Sequence, residues 1–380
     1  MSGNNDDPLI SDLVSASVEK WADATAIDRT KVDSTLESYH RYVFRKWIFI
    51  AACILIAVVV IGVSLTIGDY GIGFFETYEI IIKHLLGTIT EEEELKEYII
   101  ITLRMPRIVI GLIAGAGLAV AGAVMQSILK NPLADPYTTG VSSGALFGAT
   151  LAMTMGATLS TGQYPIVINA FVFSLIPMAV ILVVSKLKNA SPTVMIMAGI
   201  AVMYIFNAFT TVLKLWADPN DLATVYQWQV GSLSMAGWPA VPIMLVVTVA
   251  GVIMMQLASR KLNVLSTGDE NAKAMGINVD RMRIICMSIV AMVSAVIVSF
   301  TGLIGFIGIL APHVVRLFIG ADNRYLIPAS AVFGSMLLIL ADLIGRTVIA
   351  PTVLQVGVIT AFLGGPLFLW LIIRKKSVWG

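Results

Sequence analysis

Fifty consecutive residues, Pro136 to Ser185, carry no formal charge. A helix crossing the hydrocarbon of a bilayer needs about 20 predominantly apolar residues, so this stretch is long enough for two crossings with a turn near Gly162 to Pro165. It is not isolated. Trp47 to Gly68, Ile108 to Leu129, Asn189 to Leu213, Leu222 to Ser259, Ile284 to Val315, Tyr325 to Ala341 and Thr347 to Ile373 are equally free of formal charge. Only 13% of the 380 residues are charged, against about 25% in soluble domains. A single soluble core of this length would lack the charged shell it needs, and the mean hydropathy of +0.87 points the same way. A soluble enzyme and a disordered chain are excluded. A net charge of +1 offers no basic face to neutralise a nucleic acid. Cys53 and Cys286 sit inside apolar runs, so no disulfide framework is implied. What remains is an all-α polytopic membrane protein.

The charge gaps predict ten transmembrane helices, beginning near residues 47, 107, 138, 164, 193, 239, 280, 303, 326 and 357. Pro312 and the glycines around it should bend or shorten the eighth. An even count puts both termini on one side. The flanks agree: His40, Arg41, Arg45 and Lys46 precede the first helix, and Arg374, Lys375 and Lys376 follow the last. With both termini cytoplasmic, 19 of the 25 Lys and Arg residues fall inside, leaving Lys83, Lys96, Arg104, Arg107, Lys214 and Arg346 outside, as the positive-inside rule favours. Residues 1–46 read as a polar acidic cytoplasmic tail, flexible or loosely docked, with no apolar run suited to a signal peptide. Residues 47–380 form the membrane domain.

Within that domain the chemistry is sparse. The segment Phe74 to Leu86 has apolar positions at helical spacing with Glu76, Glu79 and Lys83 between them, which suits a helix along the membrane surface or a flap over the helix ends. Small residues at four-residue intervals, Gly111 and Gly115, then Gly140, Gly144 and Gly148, predict close helix packing. Asp342 is the intramembrane acid, and Arg346 one turn on should neutralise it. Asp135 reads as part of an inside loop. There is no Gly-Lys pair and so no phosphate loop of the GxxxxGK[ST] kind, and His40, His84 and His313 stand too far apart to form a metal or nucleophile constellation. Neither a cofactor nor a metal site is expected. The inside loop at about 264–278 holds a punctuated short helix, Leu265 to Gly276. Ser266 or Thr267 is placed to cap it, Asp269 and Lys273 form an i,i+4 pair, and Gly276 is placed to end it. It is either a plain loop helix or a plug for a partner's socket.

Several longer motifs point further. Leu103-Arg-Met-Pro-Arg107 with the run Gly115 to Gln126, Lys130-Asn-Pro-Leu-Ala-Asp-Pro136 leading to Gly140-Val-Ser-Ser-Gly-Ala145, Gly302 to His313 with Arg316, Leu340 to Arg346, and Gly357 to Pro366 occur in that order. Together they resemble the permease subunits of cobalamin, iron–siderophore and haem ABC importers, over residues from about 47 to the C-terminus. The chain departs from that pattern at Val353-Leu354-Gln355, at Leu303 and in its longer acidic tail. The resemblance implies a multi-pass protein of a prokaryotic cytoplasmic membrane that carries a metal chelate, iron–siderophore first, with cobalamin or haem as alternatives. It also implies a second permease copy in a homodimer, two ATPase subunits that hydrolyse the ATP, and a substrate-binding protein on the outside. By the same resemblance Arg104, Arg107 and Arg346 receive carboxylates of the binding protein. Leu265, Gly268, Asp269, Glu270, Ala272, Lys273, Met275 and Gly276 form the ATPase-coupling segment. Tyr204, Asn207, Thr210 and Thr211 line the path, and Asn189, Ala190 and Ser191 lie at the cytoplasmic gate. From the residues alone, the arginines are equally interface anchors and the path residues equally internal packing. An ion-gradient-driven secondary transporter is the competing class.

Overall fold

The computed structural model describes residues 29–68, 70–162, 164–187, 191–350 and 352–374. The chain divides into two compact units, Met1–Ile48 and Phe49–Gly380. In the first, residues 29–48 are described and are helical. There Arg41 stands 3.9 Å from Glu37 one turn away, and the Lys46 ammonium lies 4.2 Å from the Tyr42 ring centre. Helix α1 runs Arg29–Thr66, so part of the expected tail is helical. No Gly or Pro interrupts the chain from Arg29 to Ile61, and nothing local stops the helix before the apolar run begins.

In the second unit, α2 (Phe74–Leu86) is followed by a short turn at Glu94–Glu97 and a π-helical turn at Tyr98–Arg104 that enters α3 (Met105–Leu129) directly. Pro106 has no N–H to give Thr102 and its ring would crowd that carbonyl; the wider π turn accommodates it. Then come α4 (Val141–Met155), α5 (Pro165–Leu187), α6 (Pro192–Leu215), α7 (Pro219–Val230), α8 (Val241–Ser266), α9 (Asp269–Ala274), α10 (Val279–Thr301), α11 (Ile307–Ile319), α12 (Asn323–Thr347) and α13 (Val356–Arg374). There is no strand among the described residues. Helices α5, α6 and α7 open on proline, whose missing N–H is harmless at the first helical position.

Among the described residues, seven helical stretches are long and apolar enough to cross a membrane: His40–Thr66, Glu94–Leu129, Pro165–Leu187, Pro192–Leu215, Trp238–Ser266, Val279–Thr301 and Asn323–Thr347. The other three predicted positions hold shorter apolar helices, Val141–Met155, Ile307–Ile319 and Val356–Leu367. The turn before α11 explains its brevity. Gly302 and Phe306 both adopt left-handed backbone, with φ of 70° and 68°, and they end α10 and delay α11.

Helix α3 is the centre. Nearly every residue from Ile108 to Leu129 is buried, and α8, α10, α11 and α12 pack around it. Its run of Gly and Ala presents no broad side chain, so neighbours close in from all directions. A Cβ on Gly115 would run into the backbone of Gly334 and Ser335, and one on Gly334 would meet Ala119. Gly144 and Gly148 of α4 meet the carbonyls of Phe173 and Asn169 of α5 in the same way. Gly115→Val should therefore push α3 off α12. Overpacking of about 1–3 kcal/mol or more should appear as loss of the monodisperse fraction in gel filtration, and a normal elution profile would show that the contact has room.

The segment after α3 does not stay at the surface. Asp135 is buried, accepts the Tyr137 N–H and faces Gly308 at the start of α11. The Tyr137 hydroxyl accepts the Ile304 N–H at 3.0 Å. Irregular backbone at this depth is tolerated because protein groups satisfy it.

Candidate functional site

Two charged clusters lie at the two ends of α3. At its start, Asp342 of α12 is 2% exposed and takes a two-pronged grip from Arg107: Nε to Oδ1 at 2.9 Å and to Oδ2 at 3.1 Å, and Nη2 to Oδ1 at 2.8 Å. Arg346, one turn beyond, donates Nε to Oδ2 at 3.1 Å. The expected Asp342–Arg346 pair exists, with a second cation on the same carboxylate. Arg104 and the other donors of Arg346 go to the end of α1 and the turn that follows it. Arg346 reaches the carbonyls of Ser64 and Ile67 at 3.2 and 2.8 Å, and Arg104 reaches Leu65, Thr66 and Tyr70 at 2.8, 3.0 and 2.8 Å. A helix leaves its last carbonyls without partners, and two guanidinium groups from other helices satisfy them here while complementing the negative end of the helix dipole. Gly68 keeps the space: a Cβ there would come 2.6 Å from Arg104 Nη2. All three arginines border a cavity of about 340 Å³ together with Tyr70, Ile99, Leu103 and Val353. Among the three, Arg107 has the most exposed side chain, and its Nη1 makes no hydrogen bond among the described residues.

At the far end of α3, the short helix α9 is stapled through Asp269. Its Oδ1 accepts from Lys130 Nζ at 2.7 Å and from Arg283 Nη2 at 2.8 Å. Arg283, 1% exposed on α10, also donates Nε to the Ile128 carbonyl in the last turn of α3 at 3.1 Å. Lys130 holds left-handed backbone at φ 50° where α3 stops, a conformation uncommon outside glycine. One carboxylate thus ties α9 to α3 and α10. Burial alone would raise the Asp269 carboxyl, but the bonds from Arg283 and Lys130 outweigh it and hold it below the usual range. A lowered carboxylate keeps its stabilising charge above its unfolded value and loses it only as pH falls through the folded one, so the staple persists at neutral pH. Asn263 of α8 makes a second tie, donating to Asp322 Oδ1 at 2.6 Å and accepting from the Asn323 N–H at 2.8 Å at the start of α12.

Several local expectations are corrected here. Lys273 does not pair with Asp269; it stands 3.4 Å from Glu270. Ser266 and Thr267 do not cap α9, because their hydroxyls bond back to Asn263 and Val264; Gly268 occupies the cap position at φ 132°. Gly276 does follow the helix end, at φ 79°. Leu265 and Ala272 are buried, whereas Glu270, Lys273 and Met275 are exposed. Lys130, Arg283 and Asn263 escaped the sequence reading. For Arg283 the available signal was that it is the last charge before the apolar run that begins at Ile284.

On α6, Tyr204, Asn207 and Thr211 lie exposed along one side, at i, i+3 and i+7. Thr210 turns inward, 3% exposed, and donates to the Phe206 carbonyl at 2.8 Å. Phe206 meets Phe147 edge to face beside it, and Phe209 meets Phe147 at a tilt. Ser191 precedes α6 in extended backbone and makes no side-chain cap. Asn189 and Ala190 lie outside the described residues.

The architecture is that of a polytopic helical membrane protein with charged clusters at both ends of α3. The chain belongs to the FecCD transport family, whose profile matches residues 54–374. It is 41% identical over 348 residues to a protein of Methanocaldococcus jannaschii named as ABC transporter permease protein MJ0087, a match covering 89% of this chain and 97% of the relative. It is 38% identical over 286 residues to the cobalamin import system permease protein BtuC of Halobacterium salinarum, covering 75% and 76%. A solved structure of a metal-chelate type ABC transporter in an inward-facing conformation matches with a TM-score of 0.75 at 27% identity, over 86% of this chain and 99% of that one. The chain is an integral membrane permease subunit and not an enzyme.

Proposed function

We propose that this chain is the membrane permease of an ATP-driven importer of a metal chelate, iron–siderophore in the first instance, with cobalamin and haem as the alternatives. The shorter helices α4, α11 and α13 complete a set of ten spans with both termini cytoplasmic. Two copies flank the path, residues 189–191 form its inner gate, two ATPase subunits engage α9, and a binding protein delivers substrate at the arginine end. The observation that carries this reading is the Asp269 staple. A short helix fixed to α3 and α10 passes an ATPase movement into the bundle as a rigid-body displacement. Purified chain reconstituted with its ATPase should take up chelate only with ATP, and the chain alone should neither hydrolyse ATP nor accumulate chelate. Accumulation by the chain alone would overturn the proposal.

Docking falls first on Arg107, which keeps donors to spare, and less on Arg104 and Arg346, whose donors serve α1. A planar guanidinium with a free edge suits a partner's carboxylate. Arg107→Gln should weaken binding-protein affinity about tenfold, since a hydrogen bond to a charged group contributes about 1.5–3 kcal/mol. Titrating labelled binding protein onto the reconstituted complex measures this, and an unchanged affinity removes Arg107 from the docking surface.

One group favours the competing class. Asp135 is buried and has no ion-pair partner among the described residues, as a proton-coupled carrier would require. Uptake that collapses with the proton gradient while ATP remains would support that reading, and uptake indifferent to the gradient would dismiss it.

A further inference from the structure

Helix α2 has three faces. Thr77 and Ile80 are buried at 0% and 1%. Glu76 and Lys83 turn to the segment before α3, where Lys83 pairs with Glu93 at 2.6 Å and Lys96 pairs with Glu76. The third face is apolar and bare: Phe75 is 86% exposed, Ile82 56%, Leu85 78% and Leu86 70%; exposed Glu79 stands at its edge, turned toward the charged face by its 2.7 Å pair with Lys83. A contiguous exposed stripe of this size on an otherwise ion-paired helix marks a surface with a partner.

The course of α1 says which partner. Leu55, Val58 and Val59 form an exposed stripe on this membrane-spanning helix, and Gly62 is the next position on the same side. Tyr78 of α2 lies there: a Cβ on Gly62 would come 2.6 Å from its hydroxyl, and Gly62 is buried. The exposed stripe of α1 therefore leads, through Gly62 and Tyr78, to the side of α2 that carries its bare face. Gly62 is four residues before the end of α1, about 6 Å below it at 1.5 Å per residue. With the end of α1 at the membrane surface, this places Tyr78 where interfacial helices lie, about 5–10 Å into the headgroup and acyl boundary. Phe74 and Tyr78 meet at a tilt with ring centres 5.0 Å apart and supply the aromatic character common at that level. Ile81 packs beneath with Val60, Leu65 and Ile108.

We infer that α2 is an interfacial helix, its Phe75–Ile82–Leu86 face immersed in lipid at the arginine end of the bundle. Its charged face clamps the segment that brings Arg104 to α1, so lipid holds the roof of the arginine cavity from the side. This rests on the membrane location of the chain and not on the docking role of the arginines.

The test is nitroxide labelling of Phe75→Cys, Ile82→Cys and Leu86→Cys in the full chain in phospholipid vesicles; Cys53 and Cys286 are buried. Leu55→Cys serves as the hydrocarbon reference and Glu92→Cys as the aqueous one. Collision with oxygen should exceed collision with a water-soluble nickel chelate at all three positions, as at residue 55, with the order reversed at residue 92. Nickel access at the three positions would overturn the inference, because the face would then lie in water. Exclusion of both reagents would also overturn it, because protein would then cover the face. The labels sit on exposed side chains, so folding is unperturbed, and each labelled variant is checked by gel filtration.

Discussion

Asp342→Asn should be the most destabilising single substitution at the arginine end. Its carboxylate is 2% exposed and neutralises Arg107 and Arg346 together, whose side chains are 15% and 9% exposed. Removing one partner of a buried pair costs about 3–5 kcal/mol, because the charge left behind is neither solvated nor compensated; here two guanidinium groups are left. The effect should appear as a large fall in the temperature at which detergent-solubilised protein loses its monodisperse peak. Arg107→Met should be milder, since Arg346 and Asp342 remain together, and combining it with Asp342→Asn should recover part of the loss. A double variant no better than Asp342→Asn alone, or a single variant as stable as the parent, would show that the cluster is solvated after all.

Asp269→Asn should uncouple. Its two arms are unequal: Lys130 is about a third exposed and screened, whereas Arg283 is 1% exposed, so the Arg283 arm dominates. A charge-assisted hydrogen bond contributes about 1.5–3 kcal/mol, and loss of about 2 kcal/mol lowers the occupancy of the fixed position roughly thirtyfold. Transport per ATP should fall at least tenfold while ATP hydrolysis by the assembled complex changes little. Arg283→Met should reproduce this more fully than Lys130→Met. Transport that survives both Asp269→Asn and Arg283→Met would mean that α9 is held by its apolar contacts alone, and the staple would lose its role.

The helices were legible because charge spacing reports directly on what hydrocarbon tolerates. Helix starts near 107, 193, 280 and 326 lay at or close to edges of uncharged runs, those near 164 and 239 lay inside such runs, at Gly- and Pro-containing turns, and the glycine-rich approach to Pro312 marked α11 as short. The sites were visible only as residue types. Arg107 and Asp342 are 235 residues apart, and no periodicity carries that separation. Asp269 misled for a different reason. Helical spacing offered Lys273, but the buried guanidinium of Arg283 needs a carboxylate more than a solvated lysine does, and it takes the side chain. Thr210 was indistinguishable from Thr211 by composition; one position along the helix sends its hydroxyl to the Phe206 carbonyl instead of outward. Asp135 was legible as a loop residue from the prolines on both sides, but its burial was not, because a loop that dips inward looks the same in sequence as one at the surface.

The Thr66 end of α1 relies on a borrowed cap. Arg104 and Arg346 supply one from α3 and α12, so three distant stretches of chain share a single fastening. A visiting carboxylate that seized either side chain would not gain a free hand; it would unpick that fastening, and the first helix would fray as the visitor bound. Recognition and loosening would then be one event, with the strength of the grip limited by what the helix end loses.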